Sequence, residues 1–268
     1  MKKITFVFSL LVILGFGSCD KNDNVIFFSI EDDKQLGLQV RDEIAANPTE
    51  FPVLSESEYP EAYQHIRRIT TNILNSGEVA YKDVFAWEVR IIHKDDVLNA
   101  FATPGGYIYV YTGLIKYLDS EDHLAGVMGH EIAHADQRHS MSQLQKQYGL
   151  SIVLSAILGN DPSTLEKIVG QITGQLASLQ FSRSDENEAD EKSVEYLAKM
   201  EGYACNGVAG FFEKLQEEEQ AGRTPEFLST HPNPDNRITN INEKAAELNC
   251  NTTPGSHDYQ ALKNSLPQ

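Results

Sequence analysis

The chain has 268 residues, 41% of them hydrophobic, enough to bury one large core or two small ones. Lys and Arg number 22 against 39 Asp and Glu, a formal net charge of −17 at pH 7. That balance argues against nucleic acid, whose phosphates need basic patches, and describes a soluble, self-repelling surface.

Lys2 and Lys3 precede an uncharged, mostly apolar run from Ile4 to Phe16. Its length suits an export signal and is short for a bilayer span. Gly17 and Ser18 then lead into Cys19, an order that resembles the lipobox of bacterial lipoproteins. The resemblance implies a signal peptide over residues 1–18 and a lipid on Cys19, with an ordinary secretory signal cleaved nearby as the alternative. Either way the mature chain is exported, and a lipoprotein would sit on the periplasmic side of a bacterial membrane, held by its lipid only. With Cys19 acylated, Cys205 and Cys250 remain as an even pair in an oxidising compartment, expected to form a disulfide; two unrelated thiols are the other reading.

Residues 19–32 begin polar and read as a tether. Helical periodicity starts around Asp33. From Glu58 to Asn75 the residues Ala62, Ile66, Ile69 and Ile73 recur at three- and four-residue steps, which buries one helical face, and Gly77 stops the helix. Trp87–Ile92 and Tyr107–Thr112 read as strands, with Asn99–Ala102 and the turn Pro104-Gly105-Gly106 between them. Ser120 is a fitting N-cap for a helix running to about Arg138, with Glu121 and Asp122 favoured by the helix dipole. Further helices are predicted near 141–158, 164–181, 186–201, 207–220 and 235–248, and residues 251–268 form a tail. Ile152–Leu158 reads as core or as a lid over a cleft. A small sheet followed by many helices, in one domain over 33–250, is an α+β arrangement.

The chemistry concentrates at two places. His130-Glu131-Ile132-Ala133-His134 places two imidazoles four residues apart, one above the other on a helix, where both reach one ion. Glu131 lies beside the first histidine and is placed to take a proton from water without ligating the metal. Zinc needs a third protein ligand. Metzincins use a histidine six residues after the second, but Ser140 stands there, Gln137 replaces the bend glycine, and His139 is one residue short and points elsewhere on a continuing helix. Gluzincins use a glutamate from a later helix, and the segment Ser182–Asp190 offers Glu186. Asp190 shares its helical face and can accept the free N–H of a histidine ligand. Glu188 is rotated off that face and is the weaker candidate. His65, His93, His123 and His257 are given no role.

These two motifs, together with Asn99–Gly106 and Thr230-His231-Pro232, resemble the HtpX/BepA/CAAX-endopeptidase family of gluzincin metalloproteases over roughly residues 35–250. The resemblance implies a mainly helical zincin-type domain with a small antiparallel sheet beside the active-site helix, and one Zn2+ per chain. It implies a zinc metalloendopeptidase acting on polypeptides, among them misfolded or unassembled envelope proteins, with Asn99, Ala100, Phe101 and Ala102 on a substrate-facing strand. His231 is expected near the metal, either as a hydrogen-bonding partner of the developing oxyanion or as a removable ligand that caps the zinc, and Arg237 supports the loop or the substrate. Nothing here is long enough to cross a membrane, as the HtpX and CAAX branches do, and there is no room for BepA's helical repeats. An envelope chaperone using the same cleft with little proteolysis is the alternative reading.

Overall fold

The computed structural model describes residues 18–19, 25–159, 180–220, 227–228, 231 and 236–268. Residues 1–17 of the signal segment, residues 20–24 of the tether, most of the helix expected at 164–181 and the neighbours Thr230 and Pro232 of His231 lie outside the described residues.

Strand β1 (Ser18–Cys19) pairs antiparallel with β2 (Val25–Ile26), and helix α1 follows at Ile30–Ala46. The part of the tether from Val25 onward is therefore folded, with Ile26 and Phe28 buried. The helix starts three residues earlier than its periodicity suggests because Ser29 and Asp32 form a reciprocal capping box. Helix α2 (Pro60–Leu74) buries Ala62, Ile66, Ile69 and Ile73 as their spacing requires.

Three strands, β3 (Glu88–Ile92), β4 (Ala100–Thr103) and β5 (Tyr107–Tyr111), form a sheet in the order β3-β5-β4. The Pro104-Gly105-Gly106 turn makes β4 and β5 an antiparallel hairpin, and both glycines take positive φ there. Strand β3 instead runs parallel to β5, so the sheet is mixed rather than antiparallel throughout. The longer stretch between β3 and β4 lets the chain cross to the far edge before it turns back. Side chains alternate faces: Ile108 and Val110 join the core with α2 and the central helix, while Tyr107, Tyr109 and Tyr111 pack with α1.

After α3 (Thr112–Tyr117) comes the central helix α4 (Glu121–Asp136), capped by Ser120 through the His123 N–H. Every residue of α4 except His123 is buried. Helices α7 (Arg183–Leu197) and α8 (Gly207–Gln220), together with β4 and α2, enclose it. A Cβ on Gly126 would sit 2.2 Å from the Val208 amide nitrogen, so only glycine lets α8 start against α4.

Helix α4 ends at Asp136, and Arg138 takes the left-handed conformation (φ 61°). That strain costs about 1–2 kcal/mol in a non-glycine residue. It is offset by a buried two-pronged pair in which Arg138 donates to both Asp33 oxygens at 2.6 and 3.0 Å and to the Phe28 carbonyl. The single helix predicted over 141–158 is two, α5 (His139–Tyr148) and α6 (Leu150–Leu158), divided at Gly149 (φ 77°). In α6, Val153, Ala156 and Ile157 are buried, whereas Leu150, Ile152, Leu154 and Leu158 are exposed; the helix is thus only half core.

Helix α9 (Arg237–Leu248) packs on α7 and α8. Cys205 and Cys250 are joined as expected, across a sequence separation of 45, tying the approach to α8 to the end of α9. The tail is not loose: α10 (Tyr259–Asn264) buries Tyr259 and Leu262, and Leu266 follows into the core. Among the described residues no helix is long and apolar enough to cross a membrane.

Candidate metal centre

The spacing of His130 and His134 puts both imidazoles on the α4 face that meets α7. The capping box of Ser182 and Asp185 starts α7 at Arg183, which brings Glu186 and Asp190 onto the opposing face. His231 enters from the other side, its amide donating one turn back to the Phe227 carbonyl at 2.8 Å. His130, His134, Glu186 and His231, all buried, hold ligand atoms within 4.8 Å of one another, a group that could hold a metal ion.

The short distances define how the group is wired. His130 Nε2 lies 2.9 Å from His134 Nε2, 3.2 Å from His231 Nδ1 and 3.5 Å from Glu186 Oε2. Its other nitrogen, Nδ1, is 2.9 Å from Asp190 Oδ1, so an N–H there donates to the carboxylate and leaves Nε2 as a lone pair facing the group. His231 Nδ1 is 3.0 Å from Glu186 Oε1. Arg237, fully buried at the start of α9, donates to both oxygens of Asp190 at 2.6 Å, ion-pairs with Glu186 at 2.8 Å and lies over the Phe212 ring.

The protonation states suit a cation. Burial, reinforced by neighbouring positive groups, pushes the His134 imidazole well below its ordinary range, so it is neutral. Burial opposes ionisation of Glu186 and Asp190, yet His231 and Arg237 hold the former below the usual carboxylate range, and Arg237 and His130 the latter. Burial pushes the Glu131 carboxyl up to about 8, against the opposing influence of His130, Arg237 and the Ala102 N–H that donates to it. Glu131 Oε1 accepts no hydrogen bond from the described residues; its neighbour is His231 Nε2 at 3.5 Å. Imidazole nitrogens turned toward each other beside an ionised carboxylate are the donor set a zinc ion takes, and the residues present fit it.

Strand β4 forms the sheet edge next to this group. Ala100 and Ala102 face the α4 side, whereas Phe101 points to the opposite face and stacks on Tyr109 at 4.9 Å. Asn99 is buried, its side-chain oxygen accepting from the Ala100 N–H.

Four further residues adjoin the group, and their placement depends on contacts distant in sequence. His139 is not carried away on a continuing helix: the break at Arg138 returns its Nδ1 to 3.1 Å from His134 Nδ1. Phe181 stacks on His134 with centroids 3.8 Å apart, and Phe227 on His231 at 4.2 Å. The one available signal for Phe181 was its place directly before the N-cap Ser182, where apolar residues commonly pack inward. Arg237 is the charge that holds both α7 carboxylates.

A profile of Peptidase family M48 matches residues 60–245. The chain is 30% identical over 214 residues to the metalloprotease LoiP of Escherichia coli, covering 79% of each, and 28% identical to the metalloprotease YcaL of the same organism, covering 71% of each. It is 32% identical over 180 residues to the beta-barrel assembly-enhancing protease of Yersinia pestis, which covers 63% of this chain and 37% of the relative. The chain thus spans little more than a third of the length of that relative. With the profile running from α2 into α9, across both metal-site helices, the chain belongs to peptidase family M48.

Proposed function

We propose that this chain is a zinc-dependent metalloendopeptidase in which His130, His134 and Glu186 hold the metal and Glu131 is the general base. The convergence of His130, His134, Glu186 and His231 within 4.8 Å carries the reading. When bound, zinc supplies Lewis acidity that polarises the scissile carbonyl and lowers the pKa of water. The protein's own groups do the rest. Glu131, beside the first histidine and with one oxygen unpaired among the described residues, takes the proton of the attacking water and passes it to the leaving amine. Glu131, whose carboxyl burial raises to about 8, would return toward the range of a working base with a divalent cation held beside it. Asp190 and Arg237 keep His130 in the tautomer that ligates. Ala100 and Ala102 lie on the edge strand beside α4, where an extended peptide would take over the bonds that the Ala102 N–H now donates to Glu131 and its carbonyl accepts from Ser140. Zinc analysis of purified protein should find one ion per chain, most of it lost in Glu186→Gln and most of it kept in Glu188→Gln; equal retention would move the ligand role away from Glu186.

Of the two roles open to His231, the geometry favours the cap. A catalytic zinc keeps a position open, whereas His231 adds a fourth donor to a fully buried group, stacked on Phe227. We read this as a latent form that His231 must leave before cleavage. A peptide-library digest with and without a chelator tests the activity. Chelator-sensitive cleavage is expected from the native chain, and a several-fold higher rate from His231→Ala. Cleavage that survives the chelator would overturn the metalloprotease reading, and a His231→Ala rate far below native would restore the oxyanion role.

The cellular setting belongs to the same proposal. The lipobox-like Gly17-Ser18-Cys19 and a relative named for beta-barrel assembly support a lipid-anchored envelope enzyme acting on unassembled envelope polypeptides.

A further inference from the structure

His139 is 1% exposed and touches the metal group without belonging to it. Its Nδ1 lies 3.1 Å from His134 Nδ1, and its Nε2 lies 3.4 Å from Glu188 Oε2 and 3.9 Å from Asp185 Oδ1. Two imidazole nitrogens at hydrogen-bond distance share one proton, and its owner follows from the rest of the ring. His134 turns Nε2 toward His130 and Glu186, so ligation there requires its proton on Nδ1. His139 Nδ1 is then the acceptor, and its own proton sits on Nε2, aimed at Glu188.

We infer that His139 is a positioning residue for the metal centre: it accepts the His134 Nδ1–H, fixing the tautomer and ring plane of His134, and is itself oriented by Glu188. The inference rests on His134 being a ligand. It gives each histidine of the motif a carboxylate from α7, directly in the pair His130–Asp190 and through one intervening imidazole in the chain His134–His139–Glu188. The left-handed Arg138, locked by Asp33 of α1, is what turns α5 back so that a residue five positions after His134 meets it side on. Glu188 faces away from Glu186 along α7 and still acts on the site, because α5 comes round to meet it.

The test compares two replacements of one ring. His139→Asn keeps an acceptor oxygen near the position of Nδ1, whereas His139→Phe keeps the ring volume and loses the acceptor. Zinc affinity is read by competition with a chromophoric chelator, and the melting temperature of the metal-free protein is read alongside. The Phe variant should bind zinc about 10–100-fold more weakly, the usual consequence of losing the group behind a ligand. The Asn variant should stay within about threefold of native, by the same logic of a retained acceptor. Both should melt near the native temperature without metal, since the ring pocket stays filled. If the Phe variant does not fold, Glu188→Leu replaces it, expected to weaken zinc binding where Glu188→Gln does not. Equal zinc affinity in the Phe and Asn variants, or in the Leu and Gln variants, overturns the inference and leaves His139 as packing. His134→Ala is the control for the reading beneath it: native zinc binding there removes His134 as a ligand, a result distinct from any pattern at His139.

Discussion

Glu131→Gln should fold and hold zinc like the native chain while cleaving peptides on the order of 10²–10⁴-fold more slowly, the range for removing a general base. The side chain is buried beside His130, its volume hardly changes, and it is not among the four donors that converge. An amide can keep the bond from the Ala102 N–H through its oxygen, but it has no basic lone pair for a proton. The loss should appear in kcat with KM little changed, because the β4 edge is untouched. Zinc content and the melting curve of the variant separate this outcome from misfolding. Cleavage at the native rate with zinc bound would remove Glu131 from the base role. The variant also divides two cellular roles: a protein that works by holding clients would complement a deletion strain with Glu131→Gln, and one that works by proteolysis would not.

How much of this was legible in the sequence depends on whether the information was local. The His130–His134 spacing and the Glu186–Asp190 spacing are properties of one helix each, so their faces could be read directly, and the structure puts those faces together. The Ser120 cap, the α2 stripe and the Cys205–Cys250 pair follow in the same way from short patterns or parity. What was not legible depended on contacts distant in sequence. Helix α4 had no local reason to stop at Asp136, since Arg138 is an ordinary helix former; the stop is imposed by Asp33, over a hundred positions earlier. Missing that stop hid His139, because on a continuing helix it would point away from His134. The parallel pairing of β3 with β5 was hidden for a related reason: alternation shows that strands exist and says nothing of which neighbour they choose. Arg237 was visible only as a charge near the His231 loop. Its weight comes from two carboxylates on another helix.

Arg237→Met should be the most destabilising single change at the site, lowering stability by about 3–5 kcal/mol in the metal-free protein, as expected when one member of a buried charge pair is removed. Arg237 is 1% exposed and ion-pairs with two carboxylates that are themselves buried. Methionine fills much of the space over the Phe212 ring and donates nothing, so among the described residues Asp190 keeps His130, and Glu186 keeps His231 and the neighbouring histidines. The effect has a definite pH sign. In the native chain burial opposes ionisation of both carboxyls, but the positive partners win and their pKa values are lowered, so their contribution is present above the unfolded carboxylate range and lost below it. Without Arg237 the burial penalty loses its main counterweight, and the folded-state pKa values rise. The variant then loses stability as pH rises through them. The difference from native should therefore be largest near neutral pH and shrink on acidification, as protonation removes the uncompensated charge. Zinc should recover part of the loss, because it neutralises Glu186, but not the part at Asp190, which does not face the ion. Denaturant midpoints at several pH values, with and without zinc, measure all three effects. A pH-independent loss would mean that Arg237 acts through packing on Phe212 rather than through its charge.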